Sequence, residues 1–298
     1  TTEIYTLSLH DALPICLEKV MTSSRKPVGF STGVQVSGAA EVVRISVKTA
    51  NVVAILENPE ADYADEYLVV GDHYDHLGMG GPGSGSRMPD TIAVHNGADD
   101  NASGTAMILA LADKLASQKQ SLRRSIIFVA FTAEEMGLLG SKYFVNHPPV
   151  DLKAIKAMFN FDMVGRFDKE KNSISVSGTG TSLEADSLLK ILEQNLPFNV
   201  VHSPDGYGPS DHAAFYSANI PVFFINTGVH TDYHTPFDDT WKLDFQTQKL
   251  VGEYAAGLIM AIDQMDKPLT FKESGKKEGS GRRSEEHTSE LQSPNTSS

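Results

Sequence analysis

Glu134 and Glu135 stand side by side at the end of an apolar run, in IIFVAFTAEEMGLLGS (residues 126–141). Adjacent carboxylates repel unless positive charge lies close by. Taken alone, the pair reads as acidic residues suited to the positive end of a helix. The same arrangement recurs elsewhere. HYDH, after residues 67–72, supplies His73 and Asp75, and Asp162 sits at the far end of AIKAMFNFDMV (residues 154–164). TGVHTDYHTPFDD follows IPVFFIN (residues 220–226) and supplies His230 and His234, while GADDNASG places Asp99 and Asp100 just before a helical pattern. Any one of these has an ordinary structural reading, as a strand-end histidine or a helix cap. Together they are histidines and carboxylates, donors that suit zinc. Asp75, Asp100, Glu134, Glu135 and Asp162 in one pocket would carry more negative charge than one divalent ion offsets. Two ions offset four charges, and metal pairs about 3.5–4 Å apart are an established hydrolase arrangement.

Such a pocket needs elements that carry distant residues to one edge. The runs at residues 67–73, 125–131, 154–164 and 220–226 are densely apolar, as in strands covered on both faces of a largely parallel sheet. EVVRISVKT (residues 41–49) alternates like a strand with one wet face, and NVVAILE (residues 51–57) reads as its hairpin partner or neighbour. Helical spacing runs through residues 103–118, where Asn101 or Ser103 can cap the start, and through residues 182–196 and 244–265. Strand and helix alternate. The expected fold is therefore an α/β three-layer sandwich with a central, mostly parallel mixed sheet and helices on both faces, and ligands in such sheets gather at the carboxyl ends of the strands. GMGGPGSGSR (residues 78–87) lacks the Gly-Lys-Ser/Thr ending of a phosphate loop and reads as a mobile surface loop.

The 298 residues are 40% hydrophobic, enough for a sizeable core, and the formal net charge of -13 argues against non-specific nucleic-acid binding. The single cysteine, Cys16, allows neither a disulfide framework nor a cysteine metal site. No apolar run is long enough for a membrane span, and no signal-peptide pattern opens the chain. Residues 1–15 (TTEIYTLSLHDALPI) and 283–293 (RSEEHTSELQS) resemble translated sequencing-adapter oligonucleotides and are set aside as non-native. The natural protein is expected to begin further upstream. Residues 16–40 read as a linker or the tail of a missing upstream region, 41–268 as the catalytic domain, and 269–298 as a flexible tail.

The motifs GDHYDHLG, GADDNASG, TAEEMGLLGS, NFDMVGR, SDHAAF and DYHTPFDD, in this order between residues 41 and 265, resemble those of the co-catalytic dizinc aminopeptidases. Relatives of that family include glutamate carboxypeptidases, glutaminyl cyclases and the non-catalytic transferrin receptor. The resemblance implies two zinc ions, with His73 and Asp162 on one, Glu135 and His234 on the other, and Asp100 bridging both. It also implies a cis peptide bond after Asp100, Asp75 as the carboxylate that orients His73, and Glu134 as the general base. A metal-held water would attack the first peptide bond, Glu134 would carry its proton to the leaving amine, and Tyr233 would donate to the oxyanion. His230 either assists or braces its turn.

Peptides with a free N-terminus are the implied substrates, their α-ammonium held near Glu134 and Asp162. Met163, Tyr207 and Phe215 suggest an apolar side-chain pocket. A secreted, periplasmic or cell-envelope bacterial setting also follows from the resemblance. Two alternatives remain at this stage. A zinc carboxypeptidase or dipeptidase would want an arginine cluster for a substrate carboxylate, and only Arg87 and Arg166 lie near the motifs. A receptor-like binding protein that has lost catalysis would be expected to lack ligands, and none is missing.

Overall fold

The computed structural model describes Ser23, residues 46–58 and residues 61–275. Contacts divide the chain into Thr1–Val47 and Lys48–Ser298, and the fold lies in the second unit. Its sheet has seven strands: β1 (Val52–Leu56), β2 (Tyr63–His73), β3 (Arg124–Phe131), β4 (Ile155–Phe161), β5 (Ser173–Ser177), β6 (Asn199–Ser203) and β7 (Val222–Asn226). The spatial order is β1-β3-β2-β4-β7-β5-β6. The inner strands β3, β2, β4 and β7 run parallel, β1 pairs antiparallel with β3, and β5 pairs antiparallel with β7 and parallel with β6. This is the mixed, mostly parallel sheet that the dense apolar runs predict.

Alternation along each inner strand sends its side chains to two separate cores. Leu68, Val70, Ile126, Phe128, Phe223 and Ile225 face one layer, which holds α1 (Gly104–Ser117), α3 (Ala185–Leu192) and α5 (Phe245–Asp263). Val69, Ile127, Val129, Phe131 and Val222 face the other, against α2 (Leu139–Asn146) and α4 (His212–Ser217). Full burial of each such side chain stabilises the fold by about 1.5–3 kcal/mol. A polar residue in mid-strand would forfeit that and lack partners, so the donors fall at strand ends.

Several expectations are corrected. Of the strand read at 41–49, residues 41–45 lie outside the described residues and 46–49 form no strand. Val52–Leu56 is instead an edge strand on β3, with Val53 opposite Val129 and Ile55 opposite Ile127. The helix read at 182–196 starts only at Ala185, because Ser182 bridges to Phe271, and ends at Leu192. The tail expected from residue 269 is held as far as 275. Leu269 is buried, the Lys272 amide donates to the Thr181 carbonyl, and the Ser274 amide donates to the Tyr216 hydroxyl. Residues 1–15, 16–22, 24–40 and 276–298 lie outside the described residues. Among the described residues no helix is long and apolar enough to cross a membrane.

Candidate metal centre

The donors meet at the carboxyl edge of the parallel strands. His73 is the last residue of β2, and Asp162 directly follows β4. Glu134 and Glu135 lie in the turn between β3 and α2, Asp100 in the irregular turn before α1, and His234 in the loop after β7. His73 Nε2 is 3.4 Å from Asp100 Oδ1 and 3.5 Å from Asp162 Oδ1. His234 Nε2 is 3.1 Å from both Asp100 Oδ2 and Glu135 Oε2. With zinc–donor bonds of about 2.0–2.2 Å, neighbouring corners of a tetrahedron lie about 3.3–3.6 Å apart. One trio matches this spacing and the other is slightly tighter. Asp100 offers one oxygen to each, and its buried Oδ2 makes no hydrogen bond of good geometry although a ring nitrogen faces it. This donor set fits two zinc ions sharing one carboxylate.

The backbone is bent to make these presentations. Ala133, Met163 and His234 have φ of 53°, 59° and 55°, in the left-handed region that disfavours side chains with a Cβ. Two adjoin Glu134 and Asp162, and the third is His234 itself. The Asp100–Asn101 peptide bond is cis. Asn101 ties this turn to the end of β4: its Nδ2 donates to the Phe161 carbonyl, and its Oδ1 accepts from the Gly104 and Met163 amides. Asn101 thereby caps α1, whereas Ser103 donates to the Asp99 carbonyl and accepts from the Val164 amide.

Asp75 sits differently from the expectation. His73 Nδ1 is nearer the Asp75 carbonyl oxygen, at 3.1 Å, than its carboxylate, at 3.8 Å. The carboxylate accepts from the Glu134 amide at 3.0 Å and the Glu135 amide at 3.4 Å. Asp75 thus couples β2 to the turn that holds the two glutamates. His230 is a brace: Arg166 donates to its Nδ1 at 3.0 Å, so the proton sits on Nε2, which faces Asp99 Oδ2 at 3.2 Å. Tyr233 stacks on the His234 ring, with centroids 3.8 Å apart.

The loop at 78–87 is not a bystander. Gly85 presents its carbonyl to His234 Nδ1 at 3.1 Å, which leaves Nε2 of that ring for the centre, and the Arg87 amide donates to the His234 carbonyl. Of the three residues expected to line a side-chain pocket, Phe215 is wholly buried against Phe131 and Phe144, and Met163 is nearly so. Phe215 belongs to the interior, because α4 packs under the sheet rather than along its edge, whereas Met163 lies in the turn beside Asp162.

Burial opposes charge on both histidines, yet Asp162 and Asp100 hold His73 well above the usual imidazole range, and Asp100 and Glu135 lift His234 to about 10. Burial also opposes ionisation of Asp100 and Glu135, but the neighbouring imidazoles keep both below the usual carboxylate range. Glu134 goes the other way. Burial, with Asp211, Asp162 and Glu135 close by, raises it well above an ordinary glutamate despite the opposing charge of His73. Of the two adjacent glutamates, one is held as an anion and the other is poised to carry a proton. Tyr233 is raised by burial and by Asp100 and Glu135, and keeps its phenolic proton.

Sequence reasoning missed two contributors. Asp238 is fully buried, and its Oδ2 accepts from the amides of Asp99 and Asp100 at 2.9 and 3.0 Å, fixing the bridging turn. Its signal was the pair Asp238-Asp239 closing DYHTPFDD. His76 Nδ1 lies 2.8 Å from Glu135 Oε1, and His76, Asp100 and Glu135 form a donor trio of their own. Its signal was the second histidine of HYDH.

Residues 51–259 match the model of peptidase family M28. Aminopeptidase YwaD of Bacillus subtilis is 32% identical over 200 residues, which cover 64% of this chain and 43% of that protein. Among solved structures, the LapA aminopeptidase of Legionella pneumophila superposes with a TM-score of 0.58 at 27% identity, covering 72% of this chain and 56% of that one. BSAP, a zinc aminopeptidase from Bacillus subtilis, gives 0.57 at 27% identity, covering 70% and 49%. The chain spans less than half the length of the curated relative.

Proposed function

The chain belongs to peptidase family M28, and from that premise we propose that it is a dizinc metallo-aminopeptidase that releases the first residue of peptides. The observation that carries this reading is the pair of donor trios joined through the two oxygens of Asp100. His73 and Asp162 would hold one ion, Glu135 and His234 the other, with Asp100 shared between them. Zinc bound there would supply a Lewis acid for the scissile carbonyl and would bring the pKa of a water towards about 7.

The chain's own groups do the rest. Glu134 accepts the proton of the attacking water and delivers it to the departing amine, a transfer that its raised proton affinity favours. Tyr233 retains its proton and donates it as a hydrogen bond to the carbonyl oxygen as charge develops there. Glu134 and Asp162 attract the substrate's α-ammonium, which favours cleavage at the amino end. Arg166 is engaged by Asp232 at 2.6 Å, with Lys242 on the same carboxylate at 2.9 Å. It is therefore not free to grip a substrate carboxylate, which counts against the carboxypeptidase alternative. The complete ligand set counts against a receptor that has lost catalysis.

The test pairs elemental analysis with hydrolysis of leucine p-nitroanilide. We expect two zinc ions per chain, activity abolished by a chelator and restored by zinc, and no cleavage of the N-acetylated substrate. One ion per chain, or cleavage of the blocked substrate, overturns the reading.

A further inference from the structure

We propose that His76 is a positioning residue for the second zinc site, holding Oε1 of Glu135 through its Nδ1–H so that Oε2 alone is turned towards the ion. This rests on the dizinc reading above. Nδ1 of His76 is 2.8 Å from Glu135 Oε1, while the other oxygen, Oε2, is 3.1 Å from His234 Nε2. The carboxylate is thereby divided, one oxygen to each imidazole. An ionised carboxylate has only acceptor oxygens, so the short contact requires the proton on Nδ1 of His76. Asp100 Oδ2 lies 3.8 Å from the same nitrogen, too far for a hydrogen bond.

The ring is built into its place. The His76 side chain is 10% exposed, and its Nε2 is buried without a hydrogen-bond partner. Its edge meets the His234 ring at 72°, with centroids 5.8 Å apart. Gly97, at φ 58°, packs over it so closely that a Cβ there would lie 2.8 Å from ring carbons and 2.5 Å from the Asp100 carbonyl oxygen. The turn that presents Asp100 and the ring that holds Glu135 therefore share one glycine. With Oε1 tethered, Glu135 cannot swing to chelate through both oxygens, and its approach is set before the ion arrives. Partners that orient metal ligands typically change affinity by about 10- to 100-fold.

The experiment compares wild type with His76→Ala and His76→Asn by competitive chelator titration, which resolves the two zinc sites, with the cobalt-substituted absorption spectrum as a second readout. Asparagine carries an N–H where imidazole has Nδ1 but is a poor zinc ligand. We expect His76→Ala to weaken the second site by about 10- to 100-fold, and His76→Asn to recover most of that loss, with the first site changed less than about threefold in both. If His76→Ala does not fold, His76→Gln replaces it, because its amide sits at the Nε2 position and should also lose the second site. Unchanged second-site affinity in the disrupted variant overturns the proposal, as does equal loosening of both sites. Asparagine failing as badly as alanine overturns it too, since His76 would then itself be a ligand. Wild type binding fewer than two ions refutes the dizinc reading instead and is recognised before any variant is measured.

Discussion

Arg124 opens β3, and the glutamate pair follows the other end of the same strand. Both ends bury charge, and they settle it in opposite ways. Arg124 is 1% exposed. Its Nε donates to Glu66 at 2.9 Å, its Nη1 to the carbonyls of Asp263 and Met265, and its amide to the Asp263 carboxylate. That carboxylate also caps the Arg123 amide. The chain supplies both signs there. At the carboxyl end, Asp100, Glu134, Glu135 and Asp162 crowd around His73 and His234, with no lysine or arginine facing them among the described residues. A pole balanced within the chain stabilises the fold. A pole left short of positive charge is a place to receive cations, and its carboxylates are spread in proton affinity rather than neutralised.

Substitutions at the two poles should separate along this line. Glu134→Gln should lower kcat by about 10²- to 10⁴-fold while zinc content and melting temperature stay at wild-type values. Activity near wild type would remove Glu134 from the chemistry and erase the asymmetry. Arg124→Met should do the reverse. It leaves the Asp263 and Met265 carbonyls without their donor and Glu66 with Lys156 alone, so denaturant unfolding should report a loss of about 1–3 kcal/mol, with zinc stoichiometry unchanged in the folded fraction. Loss of zinc in that variant would mean that the two poles are coupled.

The smallest effect concerns His212, buried in α4 and stacked on Phe224 with centroids 4.4 Å apart. Burial pushes its imidazole down to about 3. Between about pH 6.5 and that value the unfolded chain takes up a proton that the folded chain refuses. Stability should therefore fall with decreasing pH by about 1.4 kcal/mol per unit across that window. His212→Phe should flatten this slope without changing zinc affinity. An unchanged slope would show that the acid sensitivity comes from the metal pole alone.

The parallel strands were legible because strands covered on both faces must be apolar almost throughout. β5 (SISVS) and β6 (NVVHS) went unread: both are short, and β6 is largely exposed. The short helices α2 and α4 were hidden inside motifs taken for their chemistry. At the centre, His73, Asp100, Glu135, Asp162 and His234 were named from sequence, and the structure brings all five together with Glu134, Asp75 and Tyr233. The fit of Asp75 under the glutamate turn, the clamp of the 78–87 loop on His234, and the roles of His76 and Asp238 were not visible. Phe215 is a core residue, and an aromatic near a motif looks the same whether it faces a cleft or the core.

Local sequence determined which residues could be donors and that they lie at the ends of strands, since a core that excludes water tolerates a charged side chain only where the strand leaves it. Tertiary structure decided which oxygen of Asp100 faces which histidine, which imidazole holds Glu135, and which buried acid finds an arginine. Those pairings join residues 27 to 139 positions apart. They depend on strand register and loop path, which no local pattern encodes.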